Sequence, residues 1–321
     1  MRVYRQLDEV PADFGPSALT IGNFDGVHFG HRRILRRLKA MAGEHGWKAS
    51  VLTFNPHPAC VVAPDRAPAL MTSPERRAEL MQEEGIEQVL ILPFTRELAL
   101  LTPEEFVRQL LVDRLGVKAV LVGDNFRFGH KQAGNIQVLA ELGRRYGFET
   151  EIVSAVKWRG RVVSSSGIRQ SIAAGRVALA ARLLEHAYGL EGDVVGGRGV
   201  GSRETVPTLN LATASTLIPA RGVYITRTRD LENGREWDSI TNIGYRPTFG
   251  SSDQLTIETF LLSPLTGDTP RRIRVEFLMR VRDERRFDSP AELKQQIFKD
   301  VRAAQAYFRR CRAWTSPVRA A

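Results

Sequence analysis

The chain has 321 residues, 43% hydrophobic and 26% charged, which allows two domains with cores of their own and excludes a disordered or fibrous protein. No apolar run approaches the ~20 residues of a membrane span and the start, Met1-Arg2-Val3-Tyr4-Arg5, has no signal-peptide core, so the cytoplasm is the expected compartment. The net charge of +10 divides evenly at residue 186, with 25 basic against 20 acidic residues before it and 21 against 16 after it, so no basic tail or patch points to nucleic acid. Cys60 and Cys311 are isolated, which excludes a disulfide framework or a cysteine metal site.

The first half alternates apolar runs with amphipathic stretches. Strands are predicted over 19–22, 50–54, 88–92, 119–122 and 151–153. A helix follows the first of them, with Ile34, Leu35, Leu38, Met41 and Ala42 on one face. Two more begin at Ser73-Pro74 and at Thr102-Pro103-Glu104-Glu105, the second a capping box. Strands separated by helices predict a parallel, doubly wound sheet. Beyond the helical stretch 177–185 the pattern changes to glycine-rich, alternating runs over 223–228, 255–260 and 273–278. These predict an antiparallel barrel or sandwich, closed by a helix that starts at Ser289-Pro290-Ala291-Glu292 with the apolar stripe Leu293, Ile297 and Val301. The expected domains are 1–186 and 187–321.

Chemistry-bearing residues stand where the strands end. Gly22-Asn23-Phe24-Asp25-Gly26-Val27-His28-Phe29-Gly30-His31 is a glycine-punctuated turn from strand to helix, where backbone N–H groups and two histidines can hold a phosphate and Gly30 leaves room for its approach. Thr53-Phe54-Asn55-Pro56-His57-Pro58 and Gly123-Asp124-Asn125-Phe126-Arg127-Phe128-Gly129 follow two further strands. In Ser164-Ser165-Ser166-Gly167-Ile168-Arg169 the hydroxyls can cap a helix or touch phosphate, and Arg169 can stabilise charge on a transferring phosphoryl group. All six histidines lie at or before residue 186, so proton transfer in the second half needs another group. The glycines of 192–201 are followed by no helix pattern and no Walker lysine, so neither a P-loop nor a dinucleotide fingerprint fits.

The first turn resembles the HxGH signature of the nucleotidyltransferase superfamily in its longer form, G-x-F-D-G-x-H-x-G-H. That form is similar to the adenylyltransferase half of the bacterial bifunctional riboflavin kinase/FAD synthetases. The three other stretches resemble that family's T-F-x-P-H-P, G-x-x-F-R-F-G and S-S-T-x-I-R, the last with serine for threonine. In the second half, Val206-Pro207-Thr208-Leu209-Asn210 resembles the riboflavin kinase P-T-A-N motif with leucine for alanine. Residues 242–249 resemble N-I-G-x-R-P-T-F, and 257–262 resemble the strand that carries the catalytic glutamate. Arg282, Glu284 and Phe287 match R-x-E-x-x-F.

The resemblance spans about residues 19–300. It implies a Rossmann-like nucleotidyltransferase domain and a β-barrel kinase domain that phosphorylate riboflavin to FMN and adenylylate FMN to FAD, with magnesium-ATP used twice. It implies catalytic roles for His28, His31, Arg169 and Glu258. Contacts to ATP or flavin are implied for Gly22, Asn23, Phe24, Asp25, Gly26, Gly30, Phe54, Pro56, His57, Asp124, Asn125, Ser164, Ser165 and Ser166. In the second half they are implied for Gly197, Gly201, Pro207, Asn242 and Arg282, with Thr208 and Asn210 as magnesium ligands. The partners implied are small molecules, without nucleic acid or membrane, and self-association is left open. The family has histidine where Phe260 stands and aspartate where Ser263 stands. These departures keep a second reading in play, a single adenylyltransferase whose barrel is reduced to a flavin-binding module.

Overall fold

Strands covered on both faces of a parallel sheet read as unbroken apolar runs; the first four runs of the first half fold in that way, and the fifth lies on an exposed sheet edge. In chain order the strands are β1 (Arg2–Tyr4), β2 (Ser17–Ile21), β3 (Lys48–Phe54), β4 (Gln88–Leu92), β5 (Val117–Gly123) and β6 (Glu149–Val153). They lie in the order β1-β4-β3-β2-β5-β6, every pairing parallel. Three-residue β1, on the edge beside β4, is too short to show a period and was not expected from the sequence. The computed structural model describes residues 1–196, 208–248 and 251–315. They separate into two compact units, Met1–Ser165 and Ser166–Ala321, and the sequence expectation had drawn its division at residue 186.

Helices of the first unit are α1 (Phe29–His45), α2 (Pro58–Val62), α3 (Pro74–Glu83), α4 (Arg96–Leu100), α5 (Pro103–Glu105), which continues as a π-helix over Phe106–Arg114, and α6 (Ile136–Tyr146). Local chemistry sets their starts. Ser73 Oγ accepts from Arg76 N at 3.1 Å, and the Thr102–Glu105 capping box forms in both directions. Alternation sends neighbouring strand residues to opposite faces. Ala18, Val51, Val89 and Leu121 pack with Leu35, Leu38 and Met41 of α1, whereas Leu19, Leu52, Leu90 and Val120 pack with Phe106, Leu110 and Leu139 on the other face.

The hairpin β7 (Lys157–Trp158) and β8 (Arg161–Val162) leads to α7 (Ser165–Ala173) and α8 (Val177–Leu184). Then come β9 (Tyr188–Val195), β10 (Thr208–Ala212), β11 (Gly222–Asp230), β12 (Glu236–Thr248), β13 (Ser251–Leu261) and β14 (Arg272–Arg282). They close an antiparallel barrel in the order β10-β13-β12-β11-β14-β9, so the barrel, and not the sandwich, is formed. Inside it the hydroxyls of Thr226, Thr228, Ser239, Thr241 and Thr259 form one chain of bonds at 2.8–2.9 Å, all five residues fully buried. Each hydroxyl can donate and accept, so such a chain of hydroxyls passes its bonds along the buried interior.

The last helix, α9 (Pro290–Thr315), packs on the outside of the barrel. Ser289 Oγ accepts from Glu292 N as expected, but Glu292 reaches back to Asp288 N and not to the capping residue itself. The expected stripe is shifted: Leu293 and Ile297 are 41% and 44% exposed, and the packed residues are Val301, Ala304 and Phe308 against Val223, Ile225 and Ile240. Asp300 is buried beside Arg282 at the edge of this face and fixes the rotation of the helix.

Thr241 sits at the centre of the hydroxyl chain, bonded to both Thr226 and Thr259. Thr241→Val leaves both partners short of one bond in a dry interior. The expected loss is about 1–3 kcal/mol in the urea unfolding of the second unit, with the first unit's transition unmoved.

Candidate functional sites

In a parallel sheet the ligand crevice lies outside the carboxyl ends of the strands, where the chain order reverses. Here the order reverses between adjacent β2 and β5, since β3 and β4 build outward on one side and β6 on the other. The loops after β2, β3 and β5 all leave the same edge, and they carry three of the motifs.

The loop after β2 is held in an unusual backbone. Phe24, Gly26 and Val27 have φ of 48°, 78° and 38°; the positive values strain the phenylalanine and, more so, the β-branched valine. The brace is Asp25, 1% exposed. Its carboxylate accepts from Met71 N at 2.9 and 3.1 Å, from Thr72 N at 3.1 Å and from Thr72 Oγ1 at 3.1 Å, and Thr72 Oγ1 accepts from Gly26 N at 3.0 Å. Ser165 Oγ donates to Asp25 O at 3.4 Å, which joins the serine motif to this loop. Met71 and Thr72 were not expected at the site. In the sequence they read only as the residues before a helix cap.

His28 caps α1: its Nδ1 accepts from His31 N at 3.3 Å. The neutral ring therefore carries its proton on Nε2, as a donor. The His28 and His31 rings stack with centroids 3.6 Å apart and 14° between planes, and Phe24 meets His31 edge-on at 5.0 Å. A Cβ on Gly30 would stand 3.2 Å from His28 Cε1 and 3.3 Å from its Nδ1. The glycine thus makes room for the histidine ring, a reason more specific than backbone access for phosphate.

His57 follows β3 and caps α2, its Nδ1 accepting from Ala59 N at 3.1 Å. Its neutral form must then donate from Nε2. Asn23 Nδ2 lies 3.0 Å from that nitrogen. Two expected ligand residues from different strands are thereby brought together. Phe54 is buried and Pro56 exposed; Asp124 and Asn125 are exposed after β5, with Asp124 Oδ2 accepting from Ala155 N at 3.3 Å. Ser164 is exposed, and Ser166 and Arg169 fall in the second unit.

In the barrel the register sets Asn210 of β10 opposite Glu258 of β13, and Glu258 opposite Asn242 of β12. Three polar side chains from three adjacent strands therefore share one row, on the outer face that also carries Ile240 and Phe260. Thr208 lies two residues along β10, opposite Phe260. Phe260 is half-buried against the Ile240, Ala304 and Phe308 cluster, so its ring extends the seat of α9. Gly197, Gly201 and Pro207 lie outside the described residues.

Two second-half motifs lock together. Glu284 Oε1 accepts from Tyr245 N at 3.3 Å and occupies the space beside Gly244 that a Cβ there would take. Arg282 pairs with Asp300 at 2.8–2.9 Å and lies over Phe287, so its guanidinium ties β14 to α9. A separate cleft of about 760 Å³, lined by Arg227, Trp237, Asp238, Phe308, Arg309 and Arg312 among others, does not include the Asn210–Glu258–Asn242 row. Among the described residues no group of three or more His, Cys, Asp or Glu could cage a metal ion, and no helix is long and apolar enough to cross a membrane.

Comparison with known proteins finds two family matches along the chain. The FAD synthetase family model matches residues 10–167 and the riboflavin kinase model residues 184–308. The chain is 37% identical over 307 residues to a bifunctional riboflavin kinase/FMN adenylyltransferase of Pseudomonas fluorescens, covering 95% of this chain and 97% of that one. It is 36% identical over 290 residues to the Escherichia coli K12 protein of the same description, covering 90% and 92%. A solved Streptococcus pneumoniae structure, described as a macrolide-efflux protein, superposes with a TM-score of 0.82 at 25% identity over 94% of this chain and 98% of that one. The likeness there is one of fold.

Gly30→Ala is expected to push the His28 ring by a few tenths of an ångström and to weaken pyrophosphate binding to the first unit by about tenfold, a change of ~1.4 kcal/mol. Titration calorimetry checks this, with an unchanged melting temperature as the control.

Proposed function

This chain belongs to the family of bifunctional riboflavin kinase/FMN adenylyltransferases, and we propose that residues 1–186 adenylylate FMN while residues 187–321 phosphorylate riboflavin. The chain is thus a transferase with two ATP-dependent reactions. Riboflavin becomes FMN, and FMN becomes FAD with release of pyrophosphate. The observation that carries the kinase half of the reading is the Asn210–Glu258–Asn242 row on a closed barrel, beside an adenylyltransferase half matched by the FAD synthetase model. It weighs against a barrel reduced to binding flavin, and Phe260 is explained by its packing against α9.

In the first reaction of interest, an oxygen of the FMN phosphate bonds to the α-phosphorus of ATP while the bond from that phosphorus to the bridging oxygen breaks. The protein need form no covalent intermediate, so it acts by positioning and by stabilising charge. His28 donates from Nε2 beside the stacked His31, and the N-terminus of α1 adds its dipole, so negative charge on the departing pyrophosphate is met there. Arg169 is assigned to charge on a transferring phosphoryl group, and the Asn23–His57 pair and the exposed Asp124 and Asn125 to nucleotide and flavin contact. Asp25 acts through its brace on the loop.

In the kinase reaction Glu258 takes the proton of the riboflavin ribityl hydroxyl as that oxygen attacks the γ-phosphorus of ATP, and ADP leaves. Asn210 and Asn242 flank the carboxylate and orient it. Magnesium suits the donors present: the Thr208 hydroxyl and Asn210 amide are hard oxygens, and such an ion takes few protein ligands alongside substrate phosphates. It would supply charge neutralisation on those phosphates. The partners on this reading are small molecules in the cytoplasm, with no nucleic acid.

The two sites predict separable losses. Glu258→Gln should lower FMN formation from riboflavin by about 10²–10⁴-fold and leave conversion of FMN to FAD intact; His31→Ala should do the reverse. Chromatography of the flavins separates the products. Loss of both steps from either single change, in folded protein, refutes the division.

A further inference from the structure

Arg77, on α3, belongs to none of the motifs and is 3% exposed. Its Nη1 donates to Asn23 O at 2.7 Å, to Thr53 Oγ1 at 2.9 Å and, more weakly, to Phe54 O at 3.3 Å. Thr53 Oγ1 in turn donates to Asn23 O at 3.2 Å. One guanidinium therefore grips the carboxyl ends of β2 and β3 at the point where each passes into its ligand loop.

Each gripped carbonyl leads to a histidine. The Asn23 peptide precedes Phe24, whose positive φ aims its ring at the edge of His31. The Asn23 side chain meets His57, which stands three residues beyond the gripped carbonyl of Phe54. A rotation of either peptide would move the two histidines relative to each other.

Stability alone does not explain an arginine here. Burial pulls its guanidinium below the usual range, while Asp25 and Glu75 favour the charged form. Its Nε is buried and has no hydrogen-bond partner among the described residues. A charged group buried with one donor unmet is unfavourable for folding. What it supplies is geometry: its Nη1, held in a rigid planar group, reaches all three oxygens from one fixed point, whereas a lysine ammonium ends a flexible stem without that fork.

We propose that Arg77 is a positioning residue for adenylyl transfer, setting the His31-bearing loop against the His57-bearing loop through the carbonyls of Asn23 and Phe54. The proposal rests on the reading that the 22–31 loop is the adenylyl-transfer site. Because the same chain carries a kinase in its other unit, each preparation contains its own control for concentration and folding of that unit.

The test compares full-length Arg77→Met, Arg77→Lys and His31→Ala with the parent chain, measuring FMN-to-FAD and riboflavin-to-FMN turnover together with the folded fraction of the first unit from urea titration. A misplacement of about 1 Å lowers turnover by roughly 10²-fold. Arg77→Met is therefore expected to lose about that factor in kcat for FAD formation per folded molecule, with KM for ATP and FMN within about threefold and the kinase rate kept. Arg77→Lys, a point donor without the fork, should recover only part of the loss, and it carries the test if Arg77→Met does not fold. The proposal is overturned if kcat per folded molecule stays within about threefold of the parent, if KM rises while kcat holds, or if lysine restores full turnover. Should His31→Ala leave FAD formation intact, the assignment of the loop itself fails, and this is read independently of Arg77.

Discussion

A buried carboxylate holding a strained loop is the constraint on which the first site depends. Phe24 and Val27 occupy backbone conformations that are unfavourable by about 1–3 kcal/mol each, and without them the chain could not pass from β2 into α1 with both histidines on one side. Asp25 makes that path stable because its oxygens take up backbone N–H groups of Met71 and Thr72, 46 and 47 residues away. Charge-assisted bonds of this kind are stronger than neutral ones, and a dry site leaves no competing water. An aspartate that looks like a ligand contact in the motif is, in three dimensions, what keeps the ligand loop in shape.

That loop has its chemical meaning because of where the sheet changes direction. Adjacent β2 and β5 begin chains of strands that run opposite ways, so a crevice opens outside their carboxyl ends. Imidazole donors and a helix N-terminus suit the place: both meet developing negative charge, and neither has to be made and broken as a bond.

The barrel solves a different problem. Transfer to a sugar hydroxyl requires a base, and the second half has no histidine after residue 186. Antiparallel pairing places Asn210 and Asn242 on either side of the strand glutamate Glu258. The interior of the same barrel is crossed by a chain of buried, mutually bonded hydroxyls that gives the sheet a packed support. Motifs far apart in sequence join as mechanical parts: Glu284 enters the space that Gly244 leaves open, and Arg282 anchors α9 through Asp300.

What the sequence determined by itself was local or periodic. Apolar runs, caps such as Ser73 and the Thr102–Glu105 box, and the motifs at strand ends depend on neighbours a few residues away, and they appear where expected. The stripe on α9 failed at Leu293 and Ile297 because a helix has a helical period along its length but no knowledge of which part meets the barrel. The short edge strand β1 had no period to read. Only the tertiary structure decided that the strands of the second half close into a barrel, that Glu258 has an asparagine on each side, and that Phe260 extends the seat of α9. It alone brought Thr72 to Asp25 and Arg77 to Asn23 and Phe54, because such contacts depend on chain segments 23 to 54 residues apart meeting in space, where no sequence spacing records them.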